Sequence, residues 1–166
     1  LPDTLPVDRL CDAIESGTVI DLSSAKEFAA AHACGAVNIP TSLLAAWAGW
    51  VVDYSLPVYL IAEAAQLAEA TRVLRKIGLD DLGGYFDRCA VMHAGLALES
   101  YPNASPAELK ARIDSSAVQL VDVRSDEEWN AARIPKATHE FLGQLPDRLW
   151  EISDGRPVVT QCKTGG

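Results

Sequence analysis

The feature that most limits how this chain can fold is a repeat of its own pattern at a separation of about a hundred residues. The first copy reads Thr18-Val-Ile-Asp21-Leu-Ser-Ser-Ala-Lys-Glu27-Phe28, and the second reads Gln119-Leu-Val-Asp122-Val-Arg-Ser-Asp-Glu-Glu128-Trp129. In each, an aliphatic run ends in Asp, and an acid followed by an aromatic comes six and seven positions later. A short buried strand running into a helix explains this spacing. A later run, Leu56-Pro57-Val-Tyr-Leu-Ile61, has its parallel in Arg156-Pro157-Val-Val-Thr-Gln161. An apolar run of this length behind a Pro predicts a central parallel strand covered on both faces. The residue after that strand is Ala62 in the first copy and Cys162 in the second, at nearly equal offsets from Asp21 and Asp122.

Between the copies the punctuation is regular. Leu67, Ala70, Val73, Leu74 and Ile77 recur at helical spacing between charges, and Gly78 follows, so the first copy predicts an amphipathic helix from Ala64 to Ile77. Leu82-Gly-Gly-Tyr-Phe86 reads as a closing strand. Strands alternating with helices predict an α/β fold of small parallel sheets flanked by helices. Ser, Pro and Asn cluster between Glu99 and Ser105, and Ser105-Pro106-Ala-Glu108 supplies an N-cap, a first-turn Pro and an early acid. Two units follow, residues 1–100 and 101–166. The second reaches Gly166 directly after its central strand and lacks counterparts of the 64–77 helix and the 82–86 strand, so it is expected to be incomplete at its C-terminus. The chain opens on Leu1 rather than Met, which suggests a processed or excised fragment.

With 49% hydrophobic and 22% charged residues, the chain falls in the soluble globular class. Its net charge of −9 repels nucleic acid and anionic membrane surfaces. The nearly uncharged stretch from Ala33 to Asp53 is broken by Asn38, Pro40, Thr41 and Ser42, so no membrane span is predicted. Cys11, Cys34, Cys89 and Cys162 show neither a Cys-x-x-Cys pair nor zinc spacing. Thiols in a reducing cytoplasm, with no metal and no cofactor, are the expectation. Cys11 and Cys34 are read as small core residues, and Trp47, Trp50, Trp129 and Trp150 as core or inter-unit packing.

One local pattern has an evident chemistry. Cys162-Lys163-Thr164-Gly165-Gly166 comes straight off a buried strand, where backbone N–H groups cradle an oxyanion and favour a thiolate. A buried structural cysteine before an ordinary glycine turn explains the same residues about as well. Asp122 and Arg124 could support the site, but a structural role at the strand end is the simpler reading. His32 is read as making a structural hydrogen bond.

The pattern Val-Ile-Asp…Glu-Phe…His…Gly-Ala-Val-Asn-Ile-Pro at 19–40 resembles the opening motif of the rhodanese family. So does Leu-Val-Asp-Val-Arg…Glu-Trp…Ile-Pro…Ala-Thr-His at 120–139, and Cys162 to Gly166 is similar to that family's active-site loop. The resemblance implies two rhodanese-like units in tandem and a sulfurtransferase. Cys162 would be its nucleophile, with Lys163, Thr164, Gly165 and Gly166 as the substrate-binding loop. A small sulfur-donor anion and a thiol acceptor would be its partners. The family's sixth loop position, usually Arg, lies one residue past Gly166, so this form could be inactive. Phosphatase or arsenate-reductase chemistry on the same loop is one alternative, and a non-catalytic binding module is another. Arg133 and Lys136 stand where the family usually has His and Gly. Ser23 and Ala62, in place of Arg124 and Cys162, imply a silent first unit. Trp47-Ala-Gly-Trp50 before Pro57 further resembles the rhodanese tail of metallo-β-lactamase-fold sulfur-metabolism proteins. That would put an upstream metallo-hydrolase domain, or a second copy of the chain, among the partners.

Overall fold

The computed structural model describes residues 1–152 and 155–163. It divides into two compact units, Leu1–Pro102 and Asn103–Gly166. In the first, β1 (Thr18–Asp21), β3 (Val37–Asn38), β4 (Val58–Ala62) and β5 (Leu82–Asp87) form a parallel sheet in the order β3-β1-β4-β5. Parallel neighbours require crossovers. These are α2 (Ala25–Ala30), α3 (Leu44–Val51) and α4 (Leu67–Lys76), while α1 (Leu10–Ser16) precedes the sheet and α5 (Arg88–His93) follows it. A two-residue strand, β2 (His32–Ala33), pairs antiparallel with β6 (Leu98–Glu99).

Alternation along the strands divides the core between the two faces. Ile20 and Leu60 face Leu44, Ala48, Leu67, Ala70 and Leu74, whereas Val19 and Ile61 face Leu10, Ala13, Phe86 and Val91. Helix α2 is fixed at its start by Ser24, whose hydroxyl accepts from the Glu27 amide at 3.3 Å while the Glu27 carboxylate accepts from the Ser24 amide at 3.0 Å. Such a capping pair contributes about 1 kcal/mol. The outer edge of β5 is bonded by the amino-terminal segment: Leu5 N donates to Tyr85 O and Tyr85 N to Asp3 O. Gly84 permits that approach. Its φ is +143°, and a Cβ there would lie 3.0 Å from the Asp3 carbonyl oxygen and closer still to Leu5.

The second unit opens with α6 (Pro106–Asp114), capped by Ser105 and Glu108 in the same reciprocal manner as α2. Strands β7 (Gln119–Asp122), β8 (Thr138–His139) and β9 (Val158–Gln161) form a parallel sheet in the order β8-β7-β9, with α7 (Asp126–Ala131) and α8 (Leu145–Ile152) in the crossovers. The two sheets share one register. Asp21 lies opposite Asn38 and Ile61, and Asp122 lies opposite His139 and Gln161. Ala62 and Cys162 each follow immediately. The tight turns before β3 and β8 also match, with Ala36 N bonded to Ala33 O and Ala137 N to Ile134 O. The turn residue is Gly35 (φ +85°) in one and Lys136 (φ +70°) in the other. Val118, Leu120, Val121, Val123 and Ile152 are buried in the second unit, and Leu142, Leu145 and Cys162 pack against the cluster of Val121, Val123 and Ile152. Val121, Leu145, Leu149, Ile152, Val158 and Thr160 line an apolar hollow.

Several sequence expectations are corrected. The segment Ala64–Gln66 is a 3-10 turn, and the α-helix begins at Leu67. Cys11 and Cys34 are exposed rather than core residues. In α1 the inward side is set by Leu10 and Ala13, which turns Cys11 to solvent. Trp50 and Trp150 are also exposed rather than core residues, at 56% and 79%, while Trp47 packs against the first unit's core. Among the described residues, no helix is long and apolar enough to cross a membrane.

Candidate functional site

The site lies at the carboxyl end of the second sheet, where adjacent parallel strands bring their last side chains together. Asp122 ends β7 and is fully buried. A buried carboxylate needs a counter-charge and donors. Arg124 supplies both: its Nε donates to Oδ1 at 2.9 Å and its Nη2 to Oδ2 at 2.6 Å, while the Arg124 amide donates to Oδ1 at 3.1 Å. The same Nη2 also donates to Ala132 O at 2.7 Å, tying the strand end to the end of α7. The Arg124 hydrogen bonds hold the Asp122 carboxyl below the usual carboxylate range against the opposing effect of burial, and Asp122 raises Arg124 in turn.

His139, at the end of β8, donates from Nε2 to Arg124 O at 2.8 Å, since a carbonyl can only accept. Its Nδ1 stands 3.7 Å from Asp126, and its ring stacks on Trp129 with centroids 4.9 Å apart and planes 5° from parallel. The Arg133 guanidinium lies over the same indole, 5.4 Å from its centroid. Trp129, half-buried, thus meets both an imidazole and a guanidinium.

Cys162 leaves β9 half-buried against Val121, Val123 and Ile152 and is in no disulfide. Val123 N donates to Gln161 O at 3.0 Å, holding β9 beside the Asp122 turn up to the residue before the thiol. Lys163 is largely exposed and sits 3.8 Å from Glu128. Thr164, Gly165 and Gly166, the rest of the expected substrate loop, lie outside the described residues. The structure thus brings Asp122 and Arg124 into direct contact and places Cys162 at the end of the adjoining strand. Sequence reasoning missed His139 as a member of this group. Its signal is position, since it ends the strand paired with β7, as Asn38 ends β3 in the first unit.

The equivalent end of the first sheet is built differently. Asn38 Nδ2 donates to Asp21 O and Ser23 O, as His139 does to Arg124 O. No arginine follows Asp21 on its own strand; Arg88, from the start of α5, comes to 3.9 Å of its carboxylate instead. The loop after Ala62 is filled by a side chain. Gln66 accepts from the Glu63 amide at 2.8 Å through Oε1, and through Nε2 donates to Leu22 O at 3.1 Å and to the Thr41 hydroxyl at 3.2 Å. His32 donates from Nδ1 to Phe28 O at 2.7 Å and stacks on the Phe28 ring.

Residues 105–166 match the family described as rhodanese-like domain. A 57-residue stretch is 42% identical to the HTH-type transcriptional regulator Rv0324 of Mycobacterium tuberculosis, covering 34% of this chain and 25% of that protein. A 62-residue stretch is 34% identical to the Bacillus subtilis protein named "Putative sulfurtransferase YtwF", covering 37% of this chain and 60% of the relative. The chain therefore spans between a quarter and three fifths of the length of these relatives. The fold is similar to that of thiosulfate sulfurtransferase from Pseudomonas aeruginosa, with a TM-score of 0.51 and 20% identity over 96% of this chain and 36% of that one. The match to the family described as rhodanese-like domain thus falls on the unit that carries Cys162.

Proposed function

We propose that the second unit is a sulfurtransferase working through a persulfide on Cys162, and that the first is a silent unit of the same kind. The observation that carries the first half is the placement of Cys162 directly after β9, the strand paired with β7 and its buried Asp122–Arg124 pair. The Cys162 thiolate attacks the outer sulfur of thiosulfate or of a persulfide. The new S–S bond forms as the old one breaks, and sulfite or a thiolate departs with the electron pair. Cyanide or an acceptor thiolate then attacks the terminal sulfur and returns Cys162 to its thiolate. Lys163 adds positive charge at the mouth of the loop, and Asp122 and Arg124 act as positioning residues that fix the turn beside it. Support for a silent first unit comes from Ala62 at the nucleophile position and from Gln66 filling the loop behind it.

The test is intact mass spectrometry of the natural-length protein before and after thiosulfate, with Cys162→Ser as control. The expected result is one added sulfur that cyanide removes and that the control lacks. No added sulfur, or an equal gain in the control, overturns the reading.

A further inference from the structure

We propose that Gln161 is a positioning residue for the Cys162 nucleophile: its side-chain amide clamps the Cys162 carbonyl and so sets the direction of the first backbone amide of the loop. The inference rests on the sulfurtransferase reading above and adds a residue to its machinery.

Gln161 is the last residue of β9 and lies opposite Asp122 of β7. Successive side chains of a strand point to opposite faces. Cys162 packs against Val121, Val123 and Ile152, so Gln161 leaves the strand on the other face and acts through the backbone. Its Nε2 donates to the Cys162 carbonyl oxygen at 3.1 Å, a contact that only the nitrogen of the side-chain amide can make. The Gln161 carbonyl itself accepts from the Val123 amide at 3.0 Å. Both peptide planes that flank the Cys162 Cα are therefore held, one by the neighbouring strand and the other by the Gln161 side chain.

A peptide unit is planar and trans, so its N–H points opposite to its C=O. With the Cys162 carbonyl held by Gln161, the Lys163 N–H is directed away from the Gln161 side chain. This is the first amide beyond the thiol. Backbone donors fixed in direction before reaction are what stabilise a developing negative charge, and a donor free to turn contributes less.

The fold alone does not ask for a glutamine here. Ile61 has the same register in the first unit, opposite Asp21, and is fully buried in one cluster with Phe86 and Val91. There the residue that follows, Ala62, is paired with Asp87 of β5. Gln161 also carries a liability: its Oε1 is buried with no hydrogen-bond partner among the described residues. A buried acceptor without a donor lowers stability, and an apolar side chain avoids the loss. A polar residue that weakens the fold while it holds the backbone at the nucleophile is the kind of local exception found at working sites.

The test compares the natural-length wild type with Gln161→Met, similar in length but without a donor, and with Gln161→Ile, which copies the first unit. Two rates are followed: the gain of sulfur by Cys162 from thiosulfate, and the alkylation of Cys162 as a function of pH, read by mass on its own peptide. The exposed Cys11, Cys34 and Cys89 serve as controls within the same chain. The charged and titratable groups at that end of the sheet, Asp122, Arg124, Asp126, Glu128, His139 and Lys163, are common to all three proteins. The expected result is sulfur loading slowed about tenfold in both variants, an alkylation midpoint moved upward for Cys162 alone, and thermal melting equal to the wild type's or higher. A merely structural glutamine would lower the melt along with the rate. An unmoved midpoint in Gln161→Met overturns the proposal, as does loading by that variant at the wild-type rate or a lower melting temperature in both variants. A wild type that gains no sulfur sinks the sulfurtransferase reading instead, and the alkylation midpoint then decides the role of Gln161 by itself.

Discussion

Arg124 grips the Asp122 carboxylate with two parallel hydrogen bonds, from Nε at 2.9 Å and from Nη2 at 2.6 Å, and uses the same Nη2 to hold Ala132 O. A planar fork makes that arrangement; an ammonium cannot. Arg124→Lys is therefore expected to recover only a small part of the stability lost in Arg124→Ala, despite keeping the charge. Thermal melting of the two variants side by side checks this, and an Arg124→Lys variant that melts with the wild type would contradict it.

The same pair gives a pH signature. The Asp122 carboxyl is held down by its Arg124 hydrogen bonds in the folded state, so its contribution is complete above the unfolded carboxylate value of about 3.9 and disappears as pH falls through the lower folded value. The stability gap between wild type and Arg124→Ala should be widest near neutral pH and shrink as pH falls, because without Arg124 the buried Asp122 carboxyl is raised by burial and takes up a proton before the wild type's does. Urea midpoints measured at successive pH values read it directly.

Lys136 occupies a left-handed turn at φ +70°, where the matching turn of the first unit has Gly35 at φ +85°. A side chain in that conformation costs about 1 kcal/mol, offset in part by the hydrogen bond from Lys136 Nζ to Asp114 O at 3.0 Å. Lys136→Gly is expected to stabilise the second unit by about 0.5–1 kcal/mol, whereas Gly35→Ala is expected to destabilise the first, because a Cβ there would lie 2.7 Å from Ile14. Chemical denaturation distinguishes the two signs.

Ala62→Cys in a Cys162→Ser background puts a thiol at the matching position of the first unit. It should take up no sulfur from thiosulfate, because Ala62 is fully buried and the Glu63 amide already bonds to Gln66. Intact mass after thiosulfate treatment is the measurement.

How far the sequence foretold these arrangements depended on the range of each interaction. The aliphatic runs ending at Asp21 and Asp122, the helix expected from Ala64 to Ile77 and the cap at Ser105 rest on local spacing, and the structure has β1, β7, α4 and α6 there, α4 starting three residues late at Leu67. The fold class, parallel sheets flanked by helices, follows from the same spacing. Helix phase was harder: Cys11 sits next to Leu10 in an apolar setting, but one residue along a helix turns a side chain by more than a quarter turn, and it faces water. Contacts between distant parts of the sequence left no local trace. Arg88 reaching Asp21, Gln66 reaching Leu22 and Thr41, and the pairing of Asp3 and Leu5 with Tyr85 all join elements whose spacing says nothing about one another. At the candidate site, Asp122, Arg124 and Cys162 were legible because they sit on or beside strands. The meeting of Trp129 with Arg133 and His139 was not, because it depends on how α7 and β8 turn toward each other.

The two units divide their apolar interiors very unevenly. The first sandwiches its sheet between two clusters that include Phe86, Leu44, Leu60 and Leu74, whereas the buried apolar residues described in the second are Val118, Leu120, Val121, Val123 and Ile152. Amides around β7 and β9 should exchange with solvent through openings that leave β1 and β4 protected. Because Cys162 packs on Val121 and Val123, an opening that frees β9 from β7 also uncovers the thiol.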